Sequence, residues 1–269
     1  MPTIRSFETL CETPVPSREH LAELRKGWRT HELMSLVDGV DDLIDVRALG
    51  INGANHYYQE RMAPYHMRIP GSIPMLLVRR EVATRLSVAN TYLRNVGLEL
   101  FVFDAWRPQA VQHFCRNVWF PAHMRNLHPE WQPERINEEV ERFWAHAVKT
   151  EEEIDTSGPP PHATGAAVDL TLQTTTGQHL SMGSGFDDFT DVSRIDAFEH
   201  PSGRGGRIVR ENRRILSGVM HDLGFVGHPN EWWHYSFGDQ AWAIAHARMT
   251  GKHVPAHFGA VNPLPYLPE

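Results

Sequence analysis

Cysteine is almost missing from this chain. Its 269 residues include only Cys11 and Cys115. Two thiols build no disulfide framework, and such usage fits a reducing compartment. Runs of Lys or Arg are also missing, and the formal net charge is −7. Nucleic acid is therefore not an expected partner. No stretch approaches the ~18 apolar residues of a membrane span. The opening residues, MPTIRSFETLCETPVPSREH, carry no apolar segment of the kind a secretory signal needs. Internal repeats and low-complexity tracts are absent. The expectation is a cytoplasmic protein with no membrane and no nucleic acid among its partners, and with a homo-oligomer allowed.

The chain is 41% hydrophobic and 22% charged. That suffices for a core without disulfide help. The length allows one large domain or two small ones. We read residues 1–269 as a single domain, with an insertion at 117–158 and an extended C-terminal tail at 250–269. Histidine is plentiful, at 17 residues, but number alone makes no ligand; that needs spacing and neighbours.

Apolar periodicity predicts a helix over 80–96. Val82, Leu86, Ala89, Leu93 and Val96 recur at three- and four-residue steps, and Gly97 supplies the stop. LELFVF (98–103) follows as a strand. A second helix starts near Pro108, a good first-turn residue. Residues 117–158 are polar and punctuated by proline, with a helical patch at 136–148. AAVDLTL (166–172) reads as a strand, with Val168, Leu170 and Leu172 on one face and Ala167, Asp169 and Thr171 on the other. A third helix spans roughly 207–223, with Ile208, Ile215, Leu216, Val219, Met220 and Leu223 as its apolar positions. WWHYSF (232–237) is a short strand. Helices and hairpin-like strands mix without a βαβ rhythm, which predicts an α+β fold with a central antiparallel sheet and flanking helices.

HATGAAVDL (162–170) plants an aspartate in an apolar strand. Such a carboxylate must be paired, open to a cleft or bound to metal. Gly165 lets the loop turn back so that His162 approaches Asp169. That suits two ligands of one ion, and it equally suits a His–Asp hydrogen bond at a loop–strand junction. EWWHYSF (231–237) is an aromatic anchor with an ordinary surface Glu and His, or it adds His234 as a third ligand, giving two nitrogens and one oxygen with one position open, as in a catalytic zinc site. Glu231 can then serve as the base for water. On a regular strand, residues three apart point to opposite faces, so their convergence demands a bend, and Pro229-Asn230 offers one. FDAWRP (103–108) places Arg107 at a strand end. There it can stabilise an oxyanion or simply pair with Asp104. MGSGFDDF (182–189) reads, from its residues alone, as a surface loop.

DAWRP (104–108), HATGAAVDLTL (162–172), MGSGFD (182–187) and EWWH (231–234) occur in this order. Together they resemble the blocks of VanX-type D-alanyl-D-alanine dipeptidases, over roughly residues 40–240. The resemblance implies a hedgehog/D,D-peptidase-like α+β fold and a zinc dipeptidase with one Zn²⁺ per chain and a small dipeptide as substrate. It implies that His162, Asp169 and His234 bind the metal. Glu231 would be general base and acid, Arg107 the stabiliser of the tetrahedral intermediate, and Asp187 the partner of the substrate amine. The chain departs from the family pattern in three places. Pro160 replaces a serine two residues before His162, LGINGANHYY (49–58) lacks the usual N-F-x-G pattern, and the 117–158 insertion is extra. All three bear on substrate choice. The alternatives are a D,D-carboxypeptidase or other peptidoglycan-peptide hydrolase, and a non-catalytic zinc-binding interaction domain.

Overall fold

The centre of the fold is set by which strands the apolar alternation can pair. The computed structural model describes residues 3–35, 37–38, 43–150, 153, 155 and 158–261. Two short helices, α1 (Phe7–Glu12) and α2 (Arg18–Arg25), lead in, each begun by a serine whose hydroxyl accepts a backbone N–H of the first turn. Strands β1 (Val37–Asp38), β2 (Leu43–Asp45), β3 (Asn52–Gly53) and β4 (Leu77–Arg79) follow, then α3 (Arg80–Arg94) and β5 (Leu98–Asp104). Helices α4 (Gln109–Phe114), α5 (Phe120–Leu127) and α6 (Pro133–Phe143) precede β6 (Ala167–Thr174). The chain closes with α7 (Gly203–Asp222), β7 (Val226–His228), β8 (Glu231–Ser236), α8 (Gln240–Thr250) and β9 (Ala260–Val261).

The main sheet has five strands in the order β3-β5-β6-β8-β7. Its β5–β6, β6–β8 and β8–β7 pairs are antiparallel, as expected. The edge pair β3–β5 is parallel, so the sheet is mixed and not purely antiparallel. Val168, Leu170 and Leu172 of β6 enter one apolar core with Leu86 and Leu93 of α3 and Leu216, Val219 and Met220 of α7. The α+β class therefore stands.

Element boundaries moved where local signals compete with packing. Helix α3 ends at Arg94, and Gly97 turns the chain at φ +78°; Val96 lies past the helix and is 40% exposed. Pro108 is the cap of α4 and not a first-turn residue. Helix α7 starts at Gly203, four residues earlier than expected; Ile208 is 46% exposed, and Val209 is buried instead. The helical patch predicted at 136–148 is α6, displaced toward Pro133. The first part of the 117–158 insertion, read as polar and punctuated by proline, is also helical as far as Leu127. A π turn over Cys115–Trp119 precedes α5; Pro121 has no N–H to give and its ring crowds the carbonyl four residues back, so the helix widens just ahead of it.

The stretch read as an extended tail begins inside α8. Residues 251–261 return to the body: Ala256 exchanges backbone hydrogen bonds with Glu32 and Met34, and β9 pairs in parallel with β1. Residues 262–269 of that reading lie outside the described residues. Among the described residues no helix is long and apolar enough to cross a membrane.

Gly165 joins the His162 loop to β6 at φ +71°, and a Cβ there would stand 2.8 Å from Leu43 Cδ2. Left-handed backbone costs an L side chain roughly 1–2 kcal/mol before any clash. Gly165→Ala should lower unfolding stability by about 1–3 kcal/mol, read from the urea midpoint of the metal-free protein. An unchanged midpoint would show that the loop relaxes around the new methyl group.

Candidate metal centre

Strand register assembles the site. The β5–β6 pairing puts Asp104 opposite Asp169, and the β6–β8 pairing puts Asp169 opposite His234. Three polar residues thus share one end of the sheet. A single helical turn over Pro161–Thr164 carries His162 to the same place, and Gly165 redirects the chain into β6.

His162 Nε2, His234 Nδ1 and Asp169 Oδ1 form a nearly equilateral triangle. The separations are 3.0 Å between the nitrogens, 3.2 Å from His162 to Asp169 and 3.1 Å from His234 to Asp169. All three residues are buried, and they are the set among the described residues that can hold a metal ion. Donors around a tetrahedral zinc with bonds of about 2.0–2.2 Å stand roughly 3.3–3.6 Å apart, so a few tenths of an ångström of opening suffices. The tautomers agree. His162 Nδ1 faces the Ala105 carbonyl at 2.7 Å and Asp104 Oδ2 at 3.3 Å. Both are acceptors, so Nδ1 carries the proton and Nε2 keeps its lone pair. Ser236 Oγ, 3.3 Å from His234 Nε2, can accept a hydrogen bond from Nε2–H and leave the Nδ1 lone pair free in the same way.

Glu231 joins this group through an irregular strand pair. Gly227 pairs with Tyr235, but the next residue, His228, pairs with Glu231. Residues 232–234 are taken up between those two pairings, and the regular alternation breaks. Pro229-Asn230 turns the chain, as expected. The slip beside the turn lets Glu231 and His234 converge, with Glu231 Oε2 3.8 Å from His234 Nδ1 and 3.5 Å from His228 Nδ1.

Arg107 is clamped on three sides. Its guanidinium donates to Asp104 Oδ2 at 2.8 Å, to Gln112 Oε1 at 2.6 Å and to Asp169 Oδ2 at 3.2 Å. The Tyr57 ring lies 4.3 Å from its central carbon. The pairing with Asp104 is real, and the same contact aims Arg107 along the cavity wall beside Asp169.

Asp187 is not on a surface loop. It is buried, at φ +51°, and accepts hydrogen bonds from Tyr57 at 2.9 Å and from Tyr65. It shares a cavity of about 230 Å³ with His162, Asp169, Glu231, His234 and Arg107. That volume lies below the ~300–1,000 Å³ of drug-sized ligand pockets. All six residues expected at the site therefore converge. Sequence reasoning missed Tyr57, Tyr65, Gln112, His228 and Arg25. The tyrosine pair of 49–58 carried a local signal only as a departure from the family pattern. The others come from distant segments with ordinary composition.

The charges are unbalanced. Burial raises Glu231 well above the carboxylate range, with Asp169 and Asp187 adding to it and Arg107 and Arg25 opposing. Burial likewise lifts Asp187 to about 7, against the pull of Arg107. Burial also works to raise Asp169, but the charge and hydrogen bonds of His162 and His234 hold it far below its usual range. His234 is pushed down to about 4 by burial, so one ring nitrogen keeps its lone pair near neutrality.

A family model described as D-ala-D-ala dipeptidase matches residues 72–252, a stretch that contains all four blocks. A D-alanyl-D-alanine dipeptidase of Synechocystis sp. is 33% identical over 223 residues, covering 77% of this chain and 86% of the relative. One of Enterococcus faecalis is 32% identical over 168 residues, covering 60% and 73%. One of Escherichia coli is 28% identical over 165 residues, covering 61% and 68%.

The raised Asp187 has a measurable consequence. Folded, it holds its proton to about pH 7; the ordinary value is 3.8. Between these values the folded state binds the extra proton. Stability from this group is present in full below the unfolded value and is lost as pH rises through about 7. Asp187→Asn should flatten that slope by up to roughly 4 kcal/mol, measured by urea unfolding of the metal-free protein at pH 4 and 7.5. Identical slopes in variant and wild type would mean that Asp187 is ionised throughout.

Proposed function

The chain belongs to the D-Ala-D-Ala dipeptidase family, and from that premise we propose a zinc-dependent hydrolase of D-alanyl-D-alanine or a similar small dipeptide. His162, Asp169 and His234 are its metal ligands. The observation that carries this reading is the triangle of three donors, inside the family-matched stretch and open on one side to a small cavity lined by Glu231 and Arg107. The donor set of two imidazoles and a carboxylate fits zinc, as do the tautomer set by the Ala105 carbonyl and the deficit of positive charge.

When bound, zinc polarises a carbonyl oxygen and lowers the pKa of water. Glu231, beside His234, takes the proton of the attacking water and returns it to the leaving amine. Its burial keeps it basic enough for both steps. Arg107 is locked by Asp104, Gln112 and Asp169, so it meets the developing oxyanion without reorganising. Asp187, braced by two phenol groups, accepts the substrate ammonium group. A structural zinc is closed by four protein ligands and needs no neighbouring base, so the open side, Glu231 and the cavity favour hydrolysis over a passive binding domain. A carboxypeptidase accepts a blocked or extended amine side, and a buried carboxylate there disfavours one.

Elemental analysis should find about one zinc per chain, lost in His162→Ala, Asp169→Ala and His234→Ala. Full zinc loading of those variants would reject the ligand set. Glu231→Gln should keep its zinc and lose on the order of 10²–10⁴-fold in turnover. Near-normal kcat in a zinc-replete variant would remove Glu231 from the reaction.

Substrate length gives a separate test. N-Acetyl-D-Ala-D-Ala leaves Asp187 without its partner and adds bulk to a small cavity, so it should be cleaved far more slowly than the free dipeptide. Equal kcat/KM for the two would favour the carboxypeptidase reading.

A further inference from the structure

The structure holds a second buried cation for which the reading above has no use. Arg25 closes α2, lines the cavity and is buried. A guanidinium has five N–H donors. Among the described residues Arg25 makes one hydrogen bond, Nη1 to the Gly227 carbonyl at 3.2 Å, and no ion pair. The other buried arginines differ. Arg107 is met by two carboxylates and an amide, Arg213 by the carbonyls of Met182, Arg194 and Val192, and Arg79 by the carbonyls of Thr164 and Gly259. Those are the contacts of structural or braced arginines. Arg25 keeps most of its donors without a protein partner, on the wall of the candidate active site and outside the family-matched stretch of 72–252.

We propose that Arg25 binds the C-terminal carboxylate of the dipeptide. This rests on the dipeptidase reading and extends it to the other end of the substrate. A dipeptide is a zwitterion, and its two charged ends lie at most about 7 Å apart. Asp187 takes the ammonium end, and Arg25 offers the planar fork that suits a carboxylate. The arrangement has the required order. Glu231 lies within electrostatic reach of both Arg25 and Asp187, and all three line the same cavity. The scissile bond then lies between them, beside Glu231. Asp239 and Glu231 act on this guanidinium only at a distance, and an arriving carboxylate gives it the direct hydrogen-bonded partner that it lacks among the described residues.

The test compares D-Ala-D-Ala with its C-terminal carboxamide on zinc-loaded wild type, Arg25→Met and Arg25→Lys, with zinc content and thermal melts as controls. Wild type should favour the acid over the amide by about 10–100-fold in kcat/KM, mostly through KM. Arg25→Met should lose that preference by slowing the acid while leaving the amide within about threefold, and Arg25→Lys should keep an intermediate preference. If the Met variant fails to fold, the Lys variant decides: a wild-type ratio there overturns the assignment. Equal loss on acid and amide also overturns it, because that is what a merely structural role, or one of positioning Glu231, would do. An acid preference that survives in a folded Arg25→Met protein overturns it too, as does equal cleavage of acid and amide by wild type. Wild type that cleaves neither form defeats the dipeptidase reading itself, and the Arg25 assignment with it.

Discussion

Asp104, Asp169 and Asp187 are buried in and around one small cavity and Glu231 is half-buried beside them; Arg107 and Arg25 are the guanidinium groups that act on Glu231, and Arg29 and Arg142 also line the cavity. Water cannot screen this arrangement, so the protein alone cannot keep every carboxyl ionised. The result is visible as a division of labour. Asp169, beside both histidines, stays charged, whereas Glu231 and Asp187 are driven toward the protonated form. A divalent cation at the His162–Asp169–His234 triangle, as proposed, would supply what is missing. The surrounding geometry follows from that need: the histidine tautomers, the braced Arg107 and the phenols on Asp187.

The fold meets the constraint with two devices. One is register. Antiparallel pairing in the centre of the sheet sets Asp104, Asp169 and His234 side by side, so three polar side chains converge without any long loop. The other is a local break in that same regularity. The slip between β7 and β8 brings Glu231 back to the face that His234 occupies. Bulges of this kind re-aim a side chain at the cost of ladder bonds, and a site that needs a base next to a ligand on one strand has few other routes.

Arg107 shows that a structural and a functional account of one residue need not compete. Its pair with Asp104 holds the guanidinium in place, and Asp104 also faces the proton-bearing nitrogen of His162. One carboxylate thus orients a cation and a metal-ligand candidate together. Removing it would loosen both, because rigid side chains at such sites depend on the groups behind them.

Much of the fold was legible in local pattern. The periodicity of 80–96, the apolar run 98–103, the alternation of 166–172 and the glycine stops are properties of short windows, and those windows formed the expected elements within a few residues. The six site residues were also named from their blocks, with the resemblance to a known family doing most of that work. Other features follow only from contacts between distant segments. Whether Ile208 or Val209 is covered depends on which distant segments pack against that turn of α7. Whether MGSGFDDF lies on the surface depends on Tyr57 and Tyr65, more than 100 residues away, covering Asp187. The convergence of Glu231 with His234 depends on a pairing slip that no periodicity records. Composition, period and capping thus determined the elements and the candidate chemistry. Tertiary structure decided which side chains share a buried space, because burial, and with it charge balance, is a property of neighbours brought together across the chain.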